Sequence, residues 1–316
     1  TIIETAVDAL QISFRIFVPQ GKDPVELWSI SVKNTSNKKR NISIFVYNEF
    51  AFRFWWGFDA YGHSIYMHAY FDESLNAMIA EKHPEKKPHN FLTGFMATNK
   101  KVVGWDGSKE HFIGRYNKLN EPKRVIEGMC SNKPGTNEFI VGVMQYQFIL
   151  DTQDEESIEI ILGAADSKQR ISSYINKYMG KMEAYFNLLC SEKEMMIAAN
   201  HLTTPDAQLN RMINIWSKQQ ALFGATWTRW GIRGYRDILQ HAFGITSLYP
   251  QKCKDVLMTA LKYQYSSGMA LRGWDPLDMK AYSDSALWLI FTLTNYIKET
   301  GSIEILEQRI PYLDEG

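Results

Sequence analysis

The spacing of apolar residues changes once along this chain, near Gly163, and that change sharply limits the folds open to it. Before it, Val25–Val32 (VELWSISV) and Asn41–Tyr47 (NISIFVY) alternate apolar with polar residues around the polar turn Lys33–Arg40. Phe139–Leu150 and Ser157–Leu162 repeat the pattern on either side of the acidic loop Asp151–Glu156. Strands joined by polar turns predict an antiparallel sandwich over residues 1–165. After Ser167 the apolar period becomes helical, with Tyr174, Tyr178 and Met182 in one stripe. Helices are predicted over 167–188, 192–200, 205–223, 237–248, 251–266 and 284–300, with a further start at 302–309. Pro205 and Pro250 fall at first-turn positions, where a missing N–H costs nothing. The fold class is therefore α+β and multidomain: a β-sandwich over 1–165, a helical linker over 166–202 and a helical domain over 203–316.

Composition narrows the functional classes. Lysine plus arginine equals aspartate plus glutamate at 35 each, so no global field favours nucleic acid or an anionic membrane. No apolar run reaches the ~18–20 residues of a membrane span, and Thr1–Leu10 has no basic leader region. The three cysteines, Cys130, Cys190 and Cys253, form no CxxC, which argues against a disulfide framework or structural zinc and predicts a reducing cytoplasm. The nine tryptophans suit thick cores and equally suit flat surfaces that stack on sugar rings.

Two clusters could carry chemistry. Trp227–Asp237, WTRWGIRGYRD, packs Arg229, Arg233 and Arg236 among Trp227, Trp230 and Tyr235, with glycines at 231 and 234 that permit tight backbone turns. Arginine reads vicinal hydroxyls, carboxylates or phosphate with a rigid fork, and Asp237 can accept hydroxyl protons from a sugar. The bland alternative is an Arg236–Asp237 ion pair at the start of the next helix. The second cluster is Ala281–Leu289, AYSDSALWL, after the Trp- and Arg-rich loop Leu271-Arg-Gly-Trp-Asp-Pro276. Asp284 opens an apolar segment closed by Lys298, Glu299 and Gly301, the pattern of a buried helix. A lone acid there is placed as a proton donor, or it and Ser283 simply cap the helix. Trp230 and Trp274 are candidates for acceptor stacking, and Arg272 for contact with acceptor or phosphate; each is equally readable as packing.

GIRGYRD (231–237), the helix after Pro250, YSDSALWL (282–289) and YIKETGSIEILEQRIPYLDEG (296–316) resemble glycoside hydrolase family 94, the inverting β-glucoside phosphorylases. PVELWSISVKNTSNKKRNISIFVYNEF (24–50) is similar to a sandwich segment of the same enzymes. The resemblance spans nearly the whole chain. It implies a β-sandwich, a helical linker and the first part of an (α/α)6 barrel, and it implies a piece of a longer enzyme. It implies reversible phosphorolysis of a β-glucosidic bond that releases α-glucose 1-phosphate, with inorganic phosphate as co-substrate, no cofactor and a homodimeric whole enzyme. By the same resemblance Asp284 is the general acid, Asp237 holds the glucosyl hydroxyls, and Arg229 or Arg233 grips the sugar.

Two departures accompany it. Many members carry a second acid directly after the catalytic aspartate, where this chain has Ser285, and Ser267–Trp274 lacks the histidine of cellobiose-type members. TRWGIRGYRD, LRGWDP and YSDSALWL look most like the 1,2-β-oligoglucan phosphorylases, with cellobiose or cellodextrin specificity as the alternative. Phosphate attacks without a general base, so one protein carboxyl suffices. That carboxyl must hold a proton near neutral pH, which burial favours and a helix N-terminus opposes. An inverting hydrolase would need a second carboxylate, for which Asp275 and Asp278 are the nearby offers. A non-catalytic sugar-binding piece is the third reading.

Overall fold

The computed structural model describes residues 1–50, 66–82, 93–227, 233–275 and 277–315. It divides into two units, Thr1–Leu189 and Cys190–Gly316.

The first unit opens with strands β1 (Ile2–Val7), β2 (Leu10–Phe17), β3 (Val25–Asn34) and β4 (Arg40–Glu49). It continues through β5 (Met67–Asp72), β6 (Ala77–Lys82), β7 (Thr93–Thr98) and β8 (Gly104–Ser108). Two short helices follow, α1 (Lys109–Ile113) and α2 (Lys123–Glu127), and then β9 (Gly135–Thr136), β10 (Ile140–Leu150) and β11 (Glu155–Ala165). Among the described residues they form an eight-stranded sheet, β1-β2-β3-β11-β7-β6-β5-β9, and a three-stranded sheet, β4-β10-β8. All the strand pairs are antiparallel.

Period-two alternation explains why the large sheet is covered on both faces. Trp28, Ile30 and Val32 of β3 and Ile158 and Ile160 of β11 pack with Val46, Met144 and Tyr146 of the small sheet. Their neighbours Val25, Leu27 and Ile161 point the opposite way, onto the stripe Ile171, Tyr174, Tyr178 and Met182. That stripe belongs to α3 (Lys168–Tyr178) and the start of α4 (Met182–Ala198). The first of the helices expected over 166–202 thus covers a sheet face. The break expected near residue 190 falls instead at Gly180, whose φ of +74° only glycine adopts cheaply. The outer face of the small sheet is covered by Phe112 and Ile113 of α1, with Tyr47 stacked on Phe112 at 5.5 Å between ring centres.

The second unit continues with α5 (Ala207–Arg211), a π-helical turn (Met212–Ser217), α6 (Lys218–Trp227), β12 (Arg233–Gly234), α7 (Tyr235–Ile245) and α8 (Pro250–Leu261). Strands β13 (Ala270–Asp275) and β14 (Leu277–Tyr282) precede α9 (Ser283–Thr300). Pro250 occupies the first turn of α8, as expected. Pro205 does not open a helix, because Asp206 caps α5 by accepting the backbone N–H groups of Gln208 and Leu209 at 2.8 and 3.1 Å. The helix expected to run to 266 stops at Leu261, and residues 271–275 of the expected Trp- and Arg-rich loop lie in strand β13, paired with both β12 and β14. The start expected at 302–309 is a single 3-10 turn, Glu304–Glu307.

Helix α9 is only half buried, contrary to the buried helix expected. Ser285, Leu289, Thr292 and Tyr296 face the core of this unit, whereas Leu287, Ile290 and Phe291 are more than half exposed. Among the described residues nothing covers that second apolar face.

Candidate functional site

Helix α7 positions the first cluster. Tyr235, Ile238, Leu239, Ala242 and Ile245 recur at i, i+3, i+4 and i+7 and enter the core, so Arg236 and Asp237 stay on the exposed side of the first turn. Gly234 is the N-cap, and a Cβ there would lie 2.3 Å from Asp237 Oδ2. Its absence lets the carboxylate fold back over the cap. Among the described residues no hydrogen bond or ion pair reaches Asp237, so it remains open to hydroxyl donors.

Helix α9 positions the second cluster. Its N-cap is Tyr282, and no side chain caps it, so neither Ser283 nor Asp284 plays the capping role expected. Asp284 instead sits in the first turn, where the helix dipole favours an anion. Arg236 Nη1 donates to Asp284 Oδ2 at 2.6 Å, joining the first turns of α7 and α9. The Arg236–Asp237 pair weighed from sequence is therefore replaced by Arg236–Asp284. Both partners keep nearly half of their side-chain surface in solvent, 49% and 45%, so the carboxylate remains within reach of a ligand. Ser285, at the position of the expected second acid, is buried and offers no further proton donor at the surface.

The remaining candidates separate. Trp274 lies 5.4 Å from Tyr263 in a stack tilted by 3°, and it meets Tyr235 edge-on at 5.6 Å. One ring face is thereby committed to packing. Arg272 Nη1 donates to Asp278 Oδ2 at 3.0 Å across the β13–β14 hairpin. The Lys280 backbone N–H, with Arg272 adding to it, holds the Asp278 carboxyl below its ordinary value. Asp278 is thus an anion fixed within its hairpin. Arg229 and Trp230 lie outside the described residues, as do the side chains of Arg233 and Asp275. The backbone of Arg233 pairs with Asp275 and that of Gly234 with Gly273, which joins residues 233–234 to residues 273–275 in one small sheet.

Two features went unread in the sequence. The Tyr235 hydroxyl is buried without a partner among the described residues, and burial pushes its ionisation upward. Lys218 is buried, and its ammonium donates to the carbonyls of Met196 at 3.2 Å, Ile197 at 3.0 Å and Ala199. A lysine on a helical stripe carries no local signal that it will close the end of the preceding helix. Among the described residues no group of three or more His, Cys, Asp or Glu side chains converges as a metal site.

The glycosyl hydrolase 94 supersandwich domain matches residues 1–181, and the catalytic domain of the glycosyl hydrolase 94 superfamily matches residues 194–316. Solabiose phosphorylase of Paenibacillus borealis is 33% identical over 100% of this chain and 41% of its own length. N,N'-diacetylchitobiose phosphorylase of Vibrio furnissii is 26% identical over 95% of this chain and 42% of its own. Among solved structures, one described as a kojibiose phosphorylase from human microbiome aligns with a TM-score of 0.53 at 12% identity, over 97% of this chain and 42% of that one, a likeness of fold alone. The chain spans about two fifths of the length of these curated relatives. With both domain models matched in order along nearly all of its residues, the chain belongs to glycoside hydrolase family 94.

Proposed function

We propose that this chain is part of an inverting carbohydrate phosphorylase, a hexosyltransferase in type, that cleaves a β-glucosidic bond with inorganic phosphate. The observation that carries the reading is the Asp237 carboxylate, unpaired among the described residues, next in sequence to the Arg236–Asp284 pair on the first turns of α7 and α9, within the segment matched by the family's catalytic domain. A phosphate oxygen attacks the anomeric carbon as the glycosidic C–O bond breaks, and the leaving oxygen takes a proton from a carboxyl. Inversion turns the β-glucoside into α-glucose 1-phosphate. Asp284 is the proton donor in this reading, Asp237 accepts hydroxyl protons of the glucosyl ring, and Arg229 or Arg233 grips the same sugar. The favoured substrate is a β-1,2-linked oligoglucan, with cellobiose or cellodextrin as the alternative. The whole protein places the second unit in an (α/α)6 barrel and works in the cytoplasm as a homodimer.

The ion pair favours a second reading of one residue. With Oδ2 held by Arg236, Asp284 is an anchor between two helix starts, and the proton comes from a carboxyl in the part of the protein this chain does not include.

The test is phosphate release from α-glucose 1-phosphate by the whole protein, with sophorose, cellobiose, laminaribiose or glucose as acceptor. Release with sophorose alone establishes β-1,2 specificity, and release with cellobiose alone overturns it. Asp284→Asn then separates the roles. A proton donor loses at least ~100-fold in kcat, the scale of general acid catalysis, whereas an anchor retains a substantial fraction of it.

A further inference from the structure

A cavity of about 500 Å³ lies in the first unit between α1 and α2, in a segment the reading above does not use. Its walls include Arg115, Lys123 and Arg124, together with His111, Tyr116 and Asn117. Gly114 turns the chain there at φ +90°, and a Cβ on it would come within 3.1 Å of Lys123 Cβ and 3.3 Å of Asn117 Oδ1. The turn therefore brings the Arg115 side of the cavity onto the Lys123 side.

The charges do not balance. Arg115 has no ion pair among the described residues; it lies over the Tyr116 ring at 5.8 Å. Lys123 reaches Glu127 at 3.8 Å, while Arg124 is bound more closely to that same carboxylate at 2.7 Å. Arg124 Nε also donates to the His111 carbonyl at 3.1 Å, which fixes the guanidinium against α1. Glu110 is the one carboxylate in the lining, and with Glu127 engaging Lys123 and Arg124, Arg115 is the lining cation left without an ion pair among the described residues. Among the described residues His111 Nδ1 is buried without a hydrogen-bond partner, a state that native interiors seldom leave unresolved. Tyr116, 90% exposed at the rim, offers an open ring face.

We propose that this cavity binds a small oxyanion ligand, a phosphate ester or a carboxylate, with Arg115 and Lys123 as its charged contacts and a sugar body resting on Tyr116. Arginine and lysine together supply the fork and the point charge that an oxyanion takes, and an aromatic face suits the apolar side of a sugar ring. The cavity belongs to the first unit, and the proposal does not depend on the reaction assigned to the second.

The test uses the whole protein with inorganic phosphate, α-glucose 1-phosphate and glucuronate as probes. Binding is followed by calorimetry and by the ring resonances of His111. Saturable binding of any one probe that moves the His111 resonances, and that weakens at least tenfold in Arg115→Ala/Lys123→Ala but not in Lys22→Ala/Lys38→Ala, which removes two exposed lysines elsewhere in the first unit, is the expected result. The relative affinities of the three probes distinguish phosphate from carboxylate as the source of the anion. Binding unchanged in Arg115→Ala/Lys123→Ala, lost equally in Lys22→Ala/Lys38→Ala, or absent with all three probes overturns the proposal. Circular dichroism on each variant keeps a folding failure from being read as lost binding.

Discussion

Arg236 Nη1 lies 2.6 Å from Asp284 Oδ2, and the two residues are 48 positions apart in sequence. The contact ties the first turn of α7 to the first turn of α9, and it makes the two clusters read from the sequence into one site. Because both side chains are about half exposed, the pair acts mainly on geometry and little on stability.

Arg236→Gln and Asp284→Asn are each expected to change unfolding free energy by less than ~1 kcal/mol, the range of exposed ion pairs. Urea titration of each variant checks this. A shift well above that range would mean the pair holds the unit together, and activity losses in these variants would then no longer report on the site.

Lys218 closes the end of α4 by donating to the carbonyls of Met196 and Ile197 in its last turn and of Ala199 just beyond it. Lys218→Met keeps the stem and removes every one of those bonds. Charge-assisted bonds of this kind contribute ~1.5–3 kcal/mol each way of counting, so a net loss of about 2 kcal/mol is expected. The helical urea transition, followed by circular dichroism, measures it; an unchanged midpoint would show that water replaces the ammonium.

Asp23 is held below the ordinary ~3.9 of an aspartate carboxyl chiefly by the hydrogen bond from Lys177, against the opposing pull of burial, with the Tyr178 hydroxyl adding a second bond. A carboxyl whose folded value is depressed contributes stability that is present above its unfolded value and is lost as pH falls through the lower folded one. The first unit is therefore expected to weaken below about pH 4. In Asp23→Asn that part of the acid slope should vanish. Stability measured against pH for both proteins tests it, and identical slopes would refute the linkage.

Gly107 and Gly135 bring backbone against backbone. A Cβ on Gly135 would lie 2.2 Å from the Gly107 carbonyl oxygen, and one on Gly107 would lie 2.4 Å from that of Ala69. Backbone cannot step aside as a flexible side chain can, so Gly135→Ala is expected to cost ~3 kcal/mol, the upper range for overpacking. Thermal melting of the variant checks this, and a melting temperature within a degree of the parent would show that β8 and β9 can separate.

Much of the fold is written locally. The alternation in Val25–Val32 and Ser157–Leu162 requires strands with two different faces, and the stripe of Tyr174, Tyr178 and Met182 requires a helix with one. Pro250 marked a helix start because its missing N–H is needed nowhere in a first turn. Each of these signals acts between residues a few positions apart, and a sequence displays such spacing directly. What covers each face, which carboxylate meets which arginine, and whether Leu271–Asp275 is loop or strand depend on partners tens of residues away. Asp206 displaced Pro205 as the start of α5, Arg236 paired with Asp284 in place of Asp237, and β13 became a strand through its pairing with β12 and β14. Those outcomes belong to tertiary structure, because a polar group chooses among partners by distance and direction, and neither exists until the chain has folded.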